Sequence, residues 1–164
     1  MVDEQASGDL KVYCLDTSAL IHAEARSYPA ENFGTFWDKL DGLAKSGRIV
    51  IPRDACDELE TKADDIFAWV KARRQMIVEI DIDVQRIVRD ILRDHPRLVD
   101  TKKGRSGADP WVIAVAELRQ LAVVTQELPA GIHAKSPKIP DVCNKREIRW
   151  MNLLDMIQME EWRF

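Results

Sequence analysis

The amino-acid sequence predicts an α/β protein of three layers (α/β/α), with a central, mainly parallel sheet of about five strands between helices. Three observations carry this. Short runs such as VYCL and IVI are apolar on both faces, as in strands covered from both sides. The stretches between them set apolar residues at helical spacing. The chain has 164 residues, 46% of them hydrophobic and 32% charged, which suits one domain with a proper core. Residues 1–10 are read as a flexible N-terminal tail and 11–164 as the single domain.

The first strand runs from Val12 to Leu15 and stops at Asp16, Thr17 and Ser18, where a helix begins with Ala19, Leu20 and Ala23. From Phe33 to Ser46, Phe36, Trp37, Leu40, Leu43 and Ala44 recur at helical spacing, and Gly47 follows as the cap. Ile49 to Ile51 is the second strand. Pro52 opens a helix carrying Asp54, Asp57, Glu58 and Glu60. Two more helices are marked by Ile66, Phe67 and Val70, then by Ile87, Ile91 and Leu92. Pro96 ends that block, Leu98 and Val99 are read as a short third strand, and residues 101–107 (TKKGRSG) as a polar loop.

From Asp109 and Pro110 a helix begins that is apolar around nearly its whole circumference, so it should be deeply buried. Leu121 to Val124 is the fourth strand and Ile148 to Met151 the fifth, with an irregular segment between them. A helix from Asn152 to Glu160 ends the chain. Strands alternating with helices in this way form a parallel sheet with right-handed crossovers. Such sheets bind ligands beyond the carboxyl ends of their strands.

Charge and cysteine usage narrow the function. A net charge of −4 argues against a protein that coats nucleic acid, although a local basic groove remains compatible with it. Cys14, Cys56 and Cys143 form neither a CxxC pair nor a Cys/His cluster and are read as buried free thiols. The N-terminal MVDEQASGDLK is unlike a signal peptide, and no apolar run approaches the roughly 20 residues that span a bilayer, so a soluble, cytoplasmic protein without a membrane partner is expected.

The acids give the chemistry. Asp16 directly follows the first strand and Glu127 lies just beyond the fourth, both at the ligand-binding edge. Asp109 opens the helix that leads into the fourth strand, and Glu58 lies on the helix after the second. Carboxylates meeting there would raise one another's pKa, and a divalent cation would relieve the repulsion. Mg²⁺ or Mn²⁺ suits an all-oxygen ligand set, and would activate water and stabilise a charged transition state.

LDTSALI at Leu15 to Ile21, the pair Glu58 and Leu59 after IPRDA, ADPWVIAVA at Ala108 to Ala116 and VVTQE at Val123 to Glu127 together resemble the PIN domain. The resemblance covers nearly the whole chain and is closest to VapC-like toxins of type II toxin–antitoxin modules. DPW and KIPDVC are similar to an uncharacterised bacterial side branch of that family. The resemblance implies a PIN-like fold and a metal-dependent endoribonuclease that hydrolyses RNA phosphodiester bonds. Asp16, Glu58 and Asp109 would be the catalytic acids and metal ligands, with the Ser18 hydroxyl positioning the metal, its water or the substrate. The fourth acid is Glu127, where the family often has Asp, or else Asp141 of KIPDVC. The implied partners are RNA, a VapB-like antitoxin and a second copy in a homodimer.

Plainer readings stand beside these. Asp16 and Asp109 each qualify singly as helix caps, and Glu58 with Asp57 and Glu60 as a solvated acidic face. Lys102, Lys103 and Arg105 are candidate RNA-phosphate contacts or a solvated loop. A second basic stretch, with Lys135, Lys138, Lys145, Arg146 and Arg149, admits the same two readings. His22 is read as a helix residue rather than a catalytic base, His95 and His133 have no visible partner, and the five tryptophans are read as core or interface. The alternative to the nuclease is a noncatalytic PIN-like scaffold that binds RNA or protein. A phosphoacceptor receiver wants paired acids after the first strand, where a lone Asp16 stands, and a haloacid-dehalogenase-type phosphatase wants a second Asp where Ser18 stands.

Overall fold

The computed structural model describes residues 11–99 and 107–164. Five parallel strands, β1 (Tyr13–Leu15), β2 (Ile49–Pro52), β3 (Ile77–Val78), β4 (Ala122–Val124) and β5 (Trp150–Met151), form one sheet in the order β3-β2-β1-β4-β5. The chain builds outward from β1 to β3, then returns to the other side of β1 and builds outward again. The reversal makes the junction of β1 and β4 the switch point of the sheet, where the diverging connections leave a crevice at the carboxyl edge. Register fixes what meets there: Leu15 pairs with Val124, so Asp16 and Thr125 emerge side by side.

Helices cover both faces. Successive strand residues point to opposite sides. In β1, the Cys14 thiol donates to the Val112 carbonyl of α6 (Asp109–Arg119) at 3.6 Å, whereas the Tyr13 hydroxyl donates to Glu160 at the end of α8 (Leu153–Met159). Both residues are buried, as a strand apolar on both faces requires. α6 lies against β1, β2 and β4, with α5 (Ile82–Asp94) and α7 (Ile139–Lys145) packed on it. Its Val112, Ile113, Ala114, Val115 and Ala116 are all buried, in agreement with its all-round apolar sequence. A second group of contacts is aromatic: Phe36 of α2 (Gly34–Lys45) stacks on Tyr28 at 4.6 Å and meets Trp37 and Trp162 edge-on. The three-layer α/β/α architecture with a five-stranded parallel sheet expected from the sequence is therefore present.

The connections differ from the sequence reading in two places. The third strand is Ile77–Val78, after α3 (Arg53–Lys62), α4 (Asp64–Lys71) and a 3₁₀ turn, and pairs with the end of β2; Leu98 is buried in a bend instead. Two residues at a sheet edge are too few to impose a period on the sequence. The segment between β4 and β5 contains α7, with Pro140 in its first turn, where a missing N–H costs nothing. The polar loop 101–107 lies outside the described residues except for Gly107, as does the N-terminal tail. No described helix is long and apolar enough to cross a membrane.

Candidate active site

β1 ends at Asp16, whose backbone N–H bonds the Val124 carbonyl at 2.9 Å and extends the strand pairing by one step. Its side chain is 3% exposed at the mouth of the crevice. α1 (Thr17–His22) starts at once, which folds Ser18 back over the carboxylate. Ser18 Oγ donates to Asp16 Oδ2 at 2.6 Å and Thr125 Oγ1 donates to the same oxygen at 2.9 Å. Both hydroxyls also accept backbone N–H groups, Ser18 from Gln126 at 3.0 Å and Thr125 from Glu127 at 3.1 Å. The end of β4 is thus bonded through two hydroxyls to the acid at the end of β1.

The acid's ionisation is set by opposing effects. Burial raises the Asp16 pKa above the ordinary carboxylate value, the two hydroxyl donors pull it down, and the charge of Glu58 raises it again. The net direction is upward. Glu58, on α3, acts on Asp16 through its charge, while its carboxylate holds Lys62 one helical turn on at 2.8 Å. Glu127 is raised mainly by burial, with the Ile139 N–H at 3.0 Å opposing and Asp16 adding to the rise.

Asp109 is buried in the first turn of α6, with Ala108 rather than Asp109 at the capping position. Asp141 accepts N–H groups from Ala130, Gly131 and Lys138 at 2.9, 3.1 and 2.7 Å, so its oxygens hold the loop before α7. Burial raises its pKa, but those donors prevail and the net shift is downward. Lys102, Lys103 and Arg105 lie outside the described residues.

Asp16 and Ser18 are thus in direct contact, and Glu58 and Glu127 lie within electrostatic range of Asp16. Among the described residues, no three His, Cys, Asp or Glu side chains stand together at metal-holding distance. Sequence reasoning missed Thr125 as a partner of Asp16; the signal was its place immediately after β4, beside the first acid in the sheet. It also missed Gln126, whose amide oxygen accepts the Leu153 N–H at 2.8 Å and ties the crevice to α8. All three cysteines are buried and free, as expected. A cavity of about 630 Å³ opens among Lys11, Arg119 and Ile148, at the opposite edge from Asp16.

In chain path the protein is similar to FitAcB from Neisseria gonorrhoeae, with 16% identity and a TM-score of 0.49 over 86% of this chain and 97% of that one. VapBC2 from Rickettsia felis, solved bound to a DNA fragment from its promoter, has 15% identity and a TM-score of 0.47 over 86% and 98%. PAE2754 from Pyrobaculum aerophilum has 16% identity and a TM-score of 0.48 over 92% and 89%. No curated protein matches the chain in sequence. A family model described as a domain of unknown function, DUF4411, matches residues 13–164, and the chain belongs to that family.

Proposed function

We propose that this protein is a metal-dependent endoribonuclease that hydrolyses RNA phosphodiester bonds, acting as the toxin of a type II toxin–antitoxin module. The observation that carries the reading is Asp16: a buried carboxylate at the switch point of a parallel sheet, fixed by two hydroxyls that are themselves fixed by backbone. A charge without a cation partner is costly in such a place unless it serves something that binds there.

In ligand chemistry, though not gathered at metal-holding distance among the described residues, the acids suit Mg²⁺ or Mn²⁺. Asp16, Glu58 and Asp109 offer the hard oxygen ligands these ions prefer, and the upward shift of Asp16 is the strain a cation would relieve. Among the described residues Glu58 is held by the half-exposed pair with Lys62, worth about 1 kcal/mol, so turning it towards an ion costs little. Glu127 keeps one oxygen on Ile139 and has the other to offer, whereas Asp141 is fully engaged. The bound ion would supply an acidified water and stabilise charge on the phosphoryl group. Ser18 and Thr125 favour the ionised form of Asp16 by donating their hydroxyl protons to it, partly offsetting its burial, and they fix its direction.

The test is cleavage of a labelled RNA pool with Mg²⁺ or Mn²⁺, with chelator, and with Asp16→Asn or Asp109→Asn. Metal-dependent cutting is expected, reduced in both variants by more than the roughly 10–100-fold that loss of an outer-shell partner costs. Cutting that survives both substitutions would refute the reading. A noncatalytic scaffold is favoured by the structural employment of Glu58 on Lys62 and Glu127 on Ile139, and gains if neither cutting nor metal binding is found. A VapB-like antitoxin, a homodimer and a cytoplasmic location belong to the toxin reading; co-purification and solution mass measure the first two.

A further inference from the structure

A cavity of about 560 Å³ lies between the end of α5, the 129–137 loop and α7. Asp141 lines it from the first turn of α7, the helix whose Ile139 N–H is held by the Glu127 carboxylate at 3.0 Å, so α7 joins the cavity wall to the Glu127 side of the candidate site. Its volume lies within the roughly 300–1,000 Å³ of small-ligand pockets.

The lining carries three cations, Arg97, Lys135 and Lys145, against two carboxylates, Asp94 and Asp141. Arg97, Lys135 and Lys145 form no ion pair among the described residues. The acids present are engaged elsewhere, Asp94 with Arg93 and Arg146, and Asp141 with three backbone N–H groups. His95 reports the resulting field: burial lowers its pKa, and Lys145 and Arg146 lower it further against the opposite pull of Asp94.

The shape is also specific. His95 and Arg97 supply planar groups of the kind on which unstacked bases lie, and Pro96, Pro129 and Pro137 add an apolar lining. Ile132 is 88% exposed, an aliphatic side chain left in water beside that lining. Asn144 accepts the Trp150 indole N–H at 2.9 Å; since indole only donates, the amide oxygen is engaged and the NH₂ is left to donate.

We infer that this cavity takes one unpaired nucleotide of the single-stranded RNA held over Asp16, its phosphate on Arg97, Lys135 and Lys145, its base on the His95 side and an acceptor edge on Asn144. This rests on the ribonuclease reading above. The test is NMR titration of the full-length protein, in chelator, with each 5′-ribonucleoside monophosphate, with a short single-stranded oligoribonucleotide and with inorganic phosphate. The nucleotides and the oligonucleotide are expected to move the His95 ring and Asn144 amide resonances and to raise the His95 pKa, and phosphate to do so more weakly. Arg97→Ala with Lys145→Ala, both at exposed positions, should weaken nucleotide binding by on the order of tenfold or more.

Four outcomes overturn the assignment. These are resonances that stay still at millimolar nucleotide, shifts that survive the double variant, phosphate acting as strongly as nucleotide, and mononucleotides that bind while the oligonucleotide does not. Because the titration needs no metal and no turnover, nucleotide binding without cleavage would remove the ribonuclease reading alone, and cleavage without binding would remove the cavity alone.

Discussion

Asp16 is ionisable, almost wholly buried and held by neutral donors. Its folded pKa lies above the ordinary carboxylate value because burial outweighs the two hydroxyls. The folded state therefore binds the proton more tightly than the unfolded chain, and stability declines as pH rises from the ordinary carboxylate range through the folded value. Asp16→Asn keeps the shape and an acceptor for Ser18 and Thr125 while deleting the charge. In chelator at neutral pH it should be more stable than the parent by on the order of 1–3 kcal/mol, because an ion in the interior costs several kcal/mol before compensation. That gain should vanish at acid pH, where the parent is protonated, and thermal melts at pH 4 and pH 7.5 measure it. An equal or lower Tm at neutral pH would mean that the hydroxyls compensate the charge fully. Thr125→Val removes one donor, and should lower RNA cleavage by roughly 10–100-fold with Asp16 still in place. Asp16 and Ser18 were legible because they share one short motif. Thr125 was not, because a threonine at a strand end looks like any β-branched strand residue until the sheet order sets it beside Asp16.

Elements were legible where their period was long enough to count. α6 declared itself by being apolar all round, and β1 and β2 by short apolar runs bounded by breakers. β3, with two residues at an edge, and α7, with seven residues behind a proline-containing loop, carry too little pattern to register. α7 is instead started by a side chain: Asp141 reaches back to the Lys138 N–H and also gathers Ala130 and Gly131. Hence an acid that looked like a fourth ligand organises the loop that walls the second cavity. Asp141→Ala should speed hydrogen exchange at Ala130, Gly131 and Lys138 and cost about 1–2 kcal/mol. The folded Asp141 pKa is depressed, so its contribution is present above the ordinary carboxylate range and is lost as pH falls through the folded value. The same amides in the unaltered protein should therefore lose protection in acid. Protection unchanged in Asp141→Ala would mean that the loop holds itself.

For the whole molecule, the two edges of the sheet do separate work. The carboxyl edge carries the buried acid Asp16; the amino edge carries a triad that ties β1 to β2 and to the end of α8. The Tyr13 hydroxyl donates to Glu160 Oε2 at 2.6 Å, and Arg48, just before β2, grips both Glu160 oxygens at 2.7 and 2.8 Å. The Glu160 and Arg48 side chains are only 7% and 18% exposed, and burial together with Glu160 pushes the Tyr13 pKa well above its ordinary value. Removing one member of a buried pair leaves the other charge uncompensated, at about 3–5 kcal/mol. Glu160→Ala should accordingly lower Tm by roughly 10 °C, at about 2–4 °C per kcal/mol for a chain of this size. Tyr13→Phe, which removes one donor and leaves the ion pair, should cost only about 1 kcal/mol. Because the triad lies at the edge opposite Asp16, RNA cleavage by Glu160→Ala well below its Tm should match the parent. A melt unchanged by Glu160→Ala would show that the hydrophobic layers alone join α8 to the sheet. A cleavage rate that fell while the protein stayed folded would show instead that strain at the amino edge is transmitted along β1 to Asp16.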